Sequence, residues 1–80
     1  MNTNQKIILK ALNQTGCVDA DFISCYIKRK FNETITKSQV TGALRPLVAK
    51  GMVGKSNCGY GKNVYWINEN YPWKEDKNYE

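Results

Sequence analysis

The spacing of the apolar residues changes at Gly51, and this change constrains the fold more than any other feature. Before Gly51, apolar residues recur every three or four positions, as they do on one face of an α-helix. After it, residues 62–67 (KNVYWI) are β-branched or aromatic and alternate with period two, which is typical of a strand. A short strand at 52–56 and a Gly-rich turn at 57–61 complete a predicted β-hairpin. We therefore expect an α+β protein with its helices first.

Two helices are predicted in the first part of the chain. The first, at residues 4–13, ends before Gly16. The second begins after Asp19, which is a good N-cap. The apolar face predicted for the first helix is Ile7, Ile8, Ala11 and Leu12, and that for the second is Phe22, Ile23, Tyr26, Ile27 and Phe31.

The third helix has the clearest start signal. Thr36 and Gln39 form a T-x-x-Q capping box. Pro46 removes one helical hydrogen bond, so we expect either a kinked helix from about 37 to 50 or a break near Arg45. The kinked helix is preferred because Leu47 and Val48 continue the apolar stripe. That stripe is Val40, Ala43, Leu44, Leu47 and Val48, and the opposite face holds Ser38, Thr41, Gly42, Arg45 and Ala49.

The charge of the chain is unevenly distributed. The net charge is +5, yet residues 68–80 are acidic and residues 34–68 contain no acid. A segment of one sign on a structured body indicates a polyanionic partner, although a merely solvated surface is the alternative. The cations of this segment are Lys37, Arg45, Lys50, Lys55 and Lys62.

Residues 49–56 (AKGMVGKS) match a relaxed phosphate-loop pattern. A phosphate loop follows a strand and opens a helix, so that helix amides point at the phosphates. In this chain the same residues are predicted to run from a helix into a strand. We therefore expect no nucleotide to bind at this stretch.

Catalytic and metal sites are not expected either. The chain has three cysteines without CxxC spacing and no histidine, so we predict neither a zinc site nor a cofactor, and no enzymatic activity. We expect the thiols to be reduced, two of them semi-buried and one in a loop.

Eighty residues make one domain, no apolar run is long enough to span a membrane, and no signal core follows the N-terminus. These features predict a cytoplasmic protein without a membrane partner.

The third-helix segment QVTGALRPLVAKGMV and the following GKSNCGYGKNVYWI resemble the winged helix-turn-helix family of small bacterial or phage transcriptional regulators. The resemblance implies three helices followed by a two-stranded hairpin wing over residues 1–67. Residues 68–80 would be an acidic, aromatic tail. For this tail we leave open a frayed terminus, docking of Tyr71 and Trp73 on the body or on another subunit, and a cover over the basic face.

The resemblance also implies a sequence-specific interaction with duplex DNA, in which the third helix enters the major groove. The implied base contacts are Ser38, Gln39, Thr41 and Arg45. The implied backbone contacts are Lys37, Lys50, Lys55, Lys62 and Asn63. The alternative is a winged-helix module that binds a protein without base readout, and a homodimer is left open.

Overall fold

A computed structural model describes residues 2–57, 59 and 61–73 as three helices and a small antiparallel sheet. None of the helices in this described part is long and apolar enough to cross a membrane. The elements in chain order are α1 (Thr3–Thr15), β1 (Val18–Asp19), α2 (Ala20–Phe31), α3 (Lys37–Lys50), β2 (Val53–Asn57) and β3 (Asn63–Ile67).

The predicted helix starts are confirmed. The Asp19 carboxylate accepts the Phe22 amide hydrogen at 2.8 Å and begins α2. In the capping box of α3, the Thr36 hydroxyl accepts the Gln39 amide hydrogen, and the Gln39 side chain accepts the Thr36 amide hydrogen at 2.9 Å. Asn2 and Gln5 form a second capping box, which starts α1. Each cap satisfies amides that have no partner within the helix.

Helix α3 continues through Pro46 without a break. The cost of the missing N–H is small in this position because Gly42 and Pro46 are both exposed, so water can reach the carbonyl that lost its partner. Gly51 ends the helix in the left-handed conformation, with φ 87°. The amides of Gly51 and Met52 donate to the carbonyls of Val48 and Leu47, a Schellman arrangement that turns the chain into β2.

The expectation of a two-stranded sheet is not confirmed: the sheet has three strands in the order β1-β3-β2, because β1, which was not predicted, adds to the β2–β3 hairpin. Val18 lies opposite Tyr65, and Asp19 lies opposite Val64. A strand of two residues, Val18 and Asp19, is too short to show the alternation that marks a strand in a sequence. The sequence pattern therefore revealed only the helix cap at Asp19. The β2–β3 hairpin, called the wing below, is thus joined to the helical part by β1.

One core holds the three helices and the sheet together. The face predicted for α3 is confirmed, since Val40, Leu44 and Leu47 are buried. Phe22 was placed on the apolar face of α2 but is 50% exposed. Cys17 and Cys25 are exposed, not semi-buried, and Cys58 lies outside the described residues. The buried residues are Ile8, Leu9, Ala11, Leu12, Ala20, Ile23, Ile27, Ile35, Val40, Leu44, Leu47, Met52, Val53 and Tyr65.

The two faces of the wing pack differently. Tyr65 of β3 is buried among the helices. Its neighbour Trp66 points to the opposite face, as expected for successive strand residues, and lies across Gly54 of β2. A Cβ added at Gly54 would overlap the Trp66 indole. The glycine in the phosphate-loop-like string therefore makes room for a tryptophan, and the string does run from α3 into β2, as predicted.

Residues 68–73 are tied to the end of α3 through Asn68. The Asn68 side chain donates to the Gly51 carbonyl at 2.7 Å, and the Asn68 amide donates to the Met52 carbonyl. The Trp73 indole N–H donates to the Asn68 carbonyl at 2.9 Å. The rings of Tyr71 and Trp73 pack edge to face on each other, and both side chains lie against the core. Docking on the body thus holds for these two aromatic residues, and residues 74–80 lie outside the described part of the chain.

Candidate nucleic-acid interface

The solvent face of α3 consists of small, polar and cationic side chains. Because the apolar stripe turns inward, Ser38, Gly42, Arg45 and Ala49 are exposed and Thr41 is half-buried. A Cβ added at Gly42 would meet no heavy atom within 4 Å. Packing inside the protein therefore does not require glycine at this position, although glycine weakens a helix relative to alanine.

Two of the predicted base contacts are partly engaged in local hydrogen bonds. The Gln39 side-chain oxygen accepts the Thr36 amide hydrogen, which uses one of its two lone pairs and leaves its NH₂ group to donate elsewhere. The Thr41 hydroxyl donates to the Lys37 carbonyl at 3.0 Å, which leaves its oxygen as an acceptor. Gln39 can thus donate to a partner through its NH₂ group, and Thr41 can accept through its oxygen, while α3 stays intact.

A groove of about 320 Å³ separates α3 from the wing. Arg45 and Thr41 line it from the helix, and Lys55 and Asn63 line it from the wing. Lys55 reaches the groove because it lies opposite Tyr65 in the sheet, and opposite residues in an antiparallel pair point to the same face. None of the described residues that line this groove is acidic.

The remaining cations have different surroundings. Lys50 lies in the last turn of α3, about 20 Å along the helix axis from Lys37. Lys37 forms a salt bridge with Asp21 of α2, with 3.3 Å between its Nζ and Oδ2 of the carboxylate. Within the described part of the chain, the structure has no other salt bridge, so Arg45, Lys50 and Lys55 have no acidic partner there.

Asp21 was missed as part of this surface by the sequence analysis. It precedes the acid-free segment, but the fold places the first turn of α2 beside the start of α3. A hollow of about 230 Å³ at this edge is lined by Asp19 and Asp21 together with Lys37, Lys62 and Asn63. Six of the predicted site residues therefore line an acid-free groove around Arg45 and Lys55 or a mixed edge around Lys37 and Lys62, and the other three line neither: Ser38, Gln39 and Lys50.

Comparisons with known proteins resolve the fold. No protein-family model and no curated protein matches the chain. Among solved structures, RosR of H. salinarum is 25% identical, with a TM-score of 0.76 over 86% of this chain and 61% of its own. F93 from STIV, a winged-helix DNA-binding protein, is 18% identical, with a TM-score of 0.73 over 86% of this chain and 75% of its own. This chain has a winged helix-turn-helix fold.

A third structure agrees with this assignment. The peroxide stress regulator of Campylobacter jejuni is 26% identical, with a TM-score of 0.66 over 82% of this chain and 48% of its own. This winged helix-turn-helix domain thus spans about 61% of the length of the RosR chain it matches. Its α3 occupies the third-helix position of the fold, and its β2–β3 hairpin is the wing.

Proposed function

We propose that this winged helix-turn-helix domain is a sequence-specific duplex DNA-binding regulator of transcription. In the proposed complex, α3 lies in the major groove and the wing lies along the flanking backbone. The observation that carries the proposal is the acid-free groove between α3 and the wing, with Arg45 on one side and Lys55 on the other. Similar winged-helix structures include a DNA-binding protein and a stress regulator, which supports DNA as the polyanion.

The exposed face of α3 suits the major groove of DNA. The groove is about 12 Å wide and admits a helix, and small residues such as Gly42 and Ala49 allow a close approach. Arg45 would donate two hydrogen bonds to O6 and N7 of a guanine. Ser38 and the Thr41 oxygen would contact neighbouring base edges, and Gln39 would donate through its NH₂ group.

The remaining cations would hold the DNA backbone. Lys50 at the end of α3 and Lys55 on the wing are exposed and would each neutralise a phosphate. Lys62 and Asn63 lie at the turn end of the wing, where β3 begins, and would contact the adjacent strand. Lys37 would contact a phosphate in competition with Asp21.

Fluorescence anisotropy with a random-sequence duplex over a salt series tests this function. If Arg45, Lys50, Lys55 and Lys62 each neutralise one phosphate, log K should fall against log salt with a slope of about −3.6. Non-specific affinity in the micromolar range is expected at about 50 mM salt. A flat salt response, or no binding under these conditions, would contradict the proposal.

The alternative function is a protein-interaction module without base readout, and one observation favours it. Phe22 of α2 is half exposed and stacks on Tyr26, with 6.3 Å between the ring centroids. Exposed aromatic side chains are enriched at protein interfaces. Phe22→Ala separates the two functions, because it should leave DNA affinity unchanged if α3 and the wing bind DNA. Absence of DNA binding in the salt series would favour the protein-interaction module.

A further inference from the structure

The first turn of α2 and the start of α3 bring opposite charges together at the edge of the proposed DNA surface. Lys37 Nζ lies 3.3 Å from Asp21 Oδ2, and the two side chains are 63% and 58% exposed. Asp19 and Lys62 line the same hollow. Asp19 is already engaged, because its carboxylate caps α2. Asp21 is therefore the acidic group at this edge that contacts a candidate phosphate-binding cation.

This salt bridge is poorly suited to a purely structural role. Exposed ion pairs contribute little to stability, because water and salt screen both charges. The position of the salt bridge matters more for the binding of a ligand than for stability. A DNA phosphate that approaches Lys37 competes with the Asp21 carboxylate for the ammonium group, and the carboxylate repels the same phosphate at short range.

We propose that Asp21 restrains the sequence-independent DNA affinity of the domain by occupying Lys37. This inference rests on the proposed function and adds to it a residue that opposes binding. Lys37 is in the first turn of α3, so the restraint acts where the helix would meet the backbone. The physical consequence is one phosphate contact fewer, which limits capture of the protein by bulk DNA.

The test compares wild type with Asp21→Asn on a random-sequence duplex between about 50 and about 200 mM salt. Release of Lys37 adds one neutralised phosphate, so the slope of log K against log salt should steepen by about 0.9. The affinity gain of the variant over wild type should therefore be about 3.5-fold larger at the low-salt end than at the high-salt end. Thermal melting of both proteins shows whether the substitution alters folding.

Two further variants distinguish the salt bridge from a general change in charge. Glu69→Gln makes the same charge change at an exposed residue, and the hollow that Glu69 lines contains no candidate DNA contact. This variant should leave the slope of log K against log salt at the wild-type value. Lys37→Gln added to Asp21→Asn should return the slope to about that of wild type. The affinity of Glu69→Gln should rise less than that of Asp21→Asn at every salt concentration.

The outcomes separate this inference from the proposed function. If wild type binds DNA and Asp21→Asn has the same slope as wild type or Glu69→Gln, the inference about Asp21 is wrong and the proposed function stands. If the double variant keeps the steeper slope, Lys37 is not the group that Asp21 occupies, and the inference is again wrong. If neither wild type nor Asp21→Asn binds DNA, the proposed function is wrong and the inference falls with it.

Discussion

Alanine in place of Gly42 should make the protein more stable and weaken its binding to DNA. Gly42 lies inside α3, does not have a positive φ, and has open space where a Cβ would be added. Replacing glycine by alanine within a helix contributes about 0.5–1 kcal/mol of stability. For a domain of this size, the melting temperature should therefore rise by about 2–8 °C.

DNA binding should become weaker in the same variant, because the added methyl group would lie on the face proposed to enter the major groove. Inserting a methyl group into a close-packed contact costs about 1–3 kcal/mol. The affinity for DNA should therefore fall at least about fivefold. Calorimetry measures the first effect, and anisotropy with the duplex used for wild type measures the second.

Asn13→Ala in α1 is the matched control, because Asn13 is an exposed helical residue and lines neither of the two hollows that contain the proposed DNA contacts. Alanine should also stabilise this helix by a few tenths of a kcal/mol, roughly, while leaving DNA affinity unchanged. A Gly42→Ala protein that is stabilised and still binds DNA like wild type would refute the close approach of this face. A destabilised Gly42→Ala protein would refute the packing argument.

Three further predictions concern the wing and its anchor. Gly54→Ala should destabilise the domain by about 1–3 kcal/mol in chemical denaturation because Trp66 must move, and an unchanged midpoint would contradict that packing. Asn68→Ala should lower stability by about 1–3 kcal/mol because the Gly51 carbonyl loses its donor, whereas a change below about 0.5 kcal/mol would show that the bond matters little. Lys55→Ala combined with Ser56→Ala should change stability by about 0.5 kcal/mol or less. ATP with magnesium should not raise the wild-type melting temperature, and a nucleotide-dependent rise lost in the double variant would revive the phosphate loop.

The parts of the fold that could be predicted from the sequence are formed by residues that lie close together in the chain. The capping box of Thr36 and Gln39 and the Asp19 cap involve residues three apart, so their side-chain chemistry marks the helix starts directly. Gly51 and the change of period after it locate the passage from α3 into the wing. These local signals predicted the α+β class, and the apolar stripe that Leu47 and Val48 continue beyond Pro46 predicted that α3 is continuous.

The parts that sequence missed depend on residues far apart in the chain. The strand β1 exists only because Val18 meets Tyr65, and a two-residue strand has no visible period. The same limitation applies to the candidate interface. The segment with no acid in sequence acquires an acidic neighbour in space, since Asp21 reaches Lys37 from another helix.

The exposed position of Phe22 could not be predicted for a related reason. Its spacing matches the apolar face of α2, but that face is wider than the surface that the other helices and the sheet cover. Helical spacing identifies the side on which apolar residues lie, whereas the packed elements determine how many of them are buried.

If α3 reads bases while the wing holds the backbone, substitutions on the two sides of the groove between them should affect DNA binding differently. Arg45→Ala and Lys55→Ala remove cations from the two sides of one groove. Each variant would be measured on a duplex selected from a randomised pool by wild type and on a scrambled duplex. Arg45→Ala should lose about 1–3 kcal/mol on the selected duplex and much less on the scrambled one. Lys55→Ala should weaken both alike and flatten the salt slope by about one unit. Equal losses on both duplexes for both variants would contradict base readout by α3.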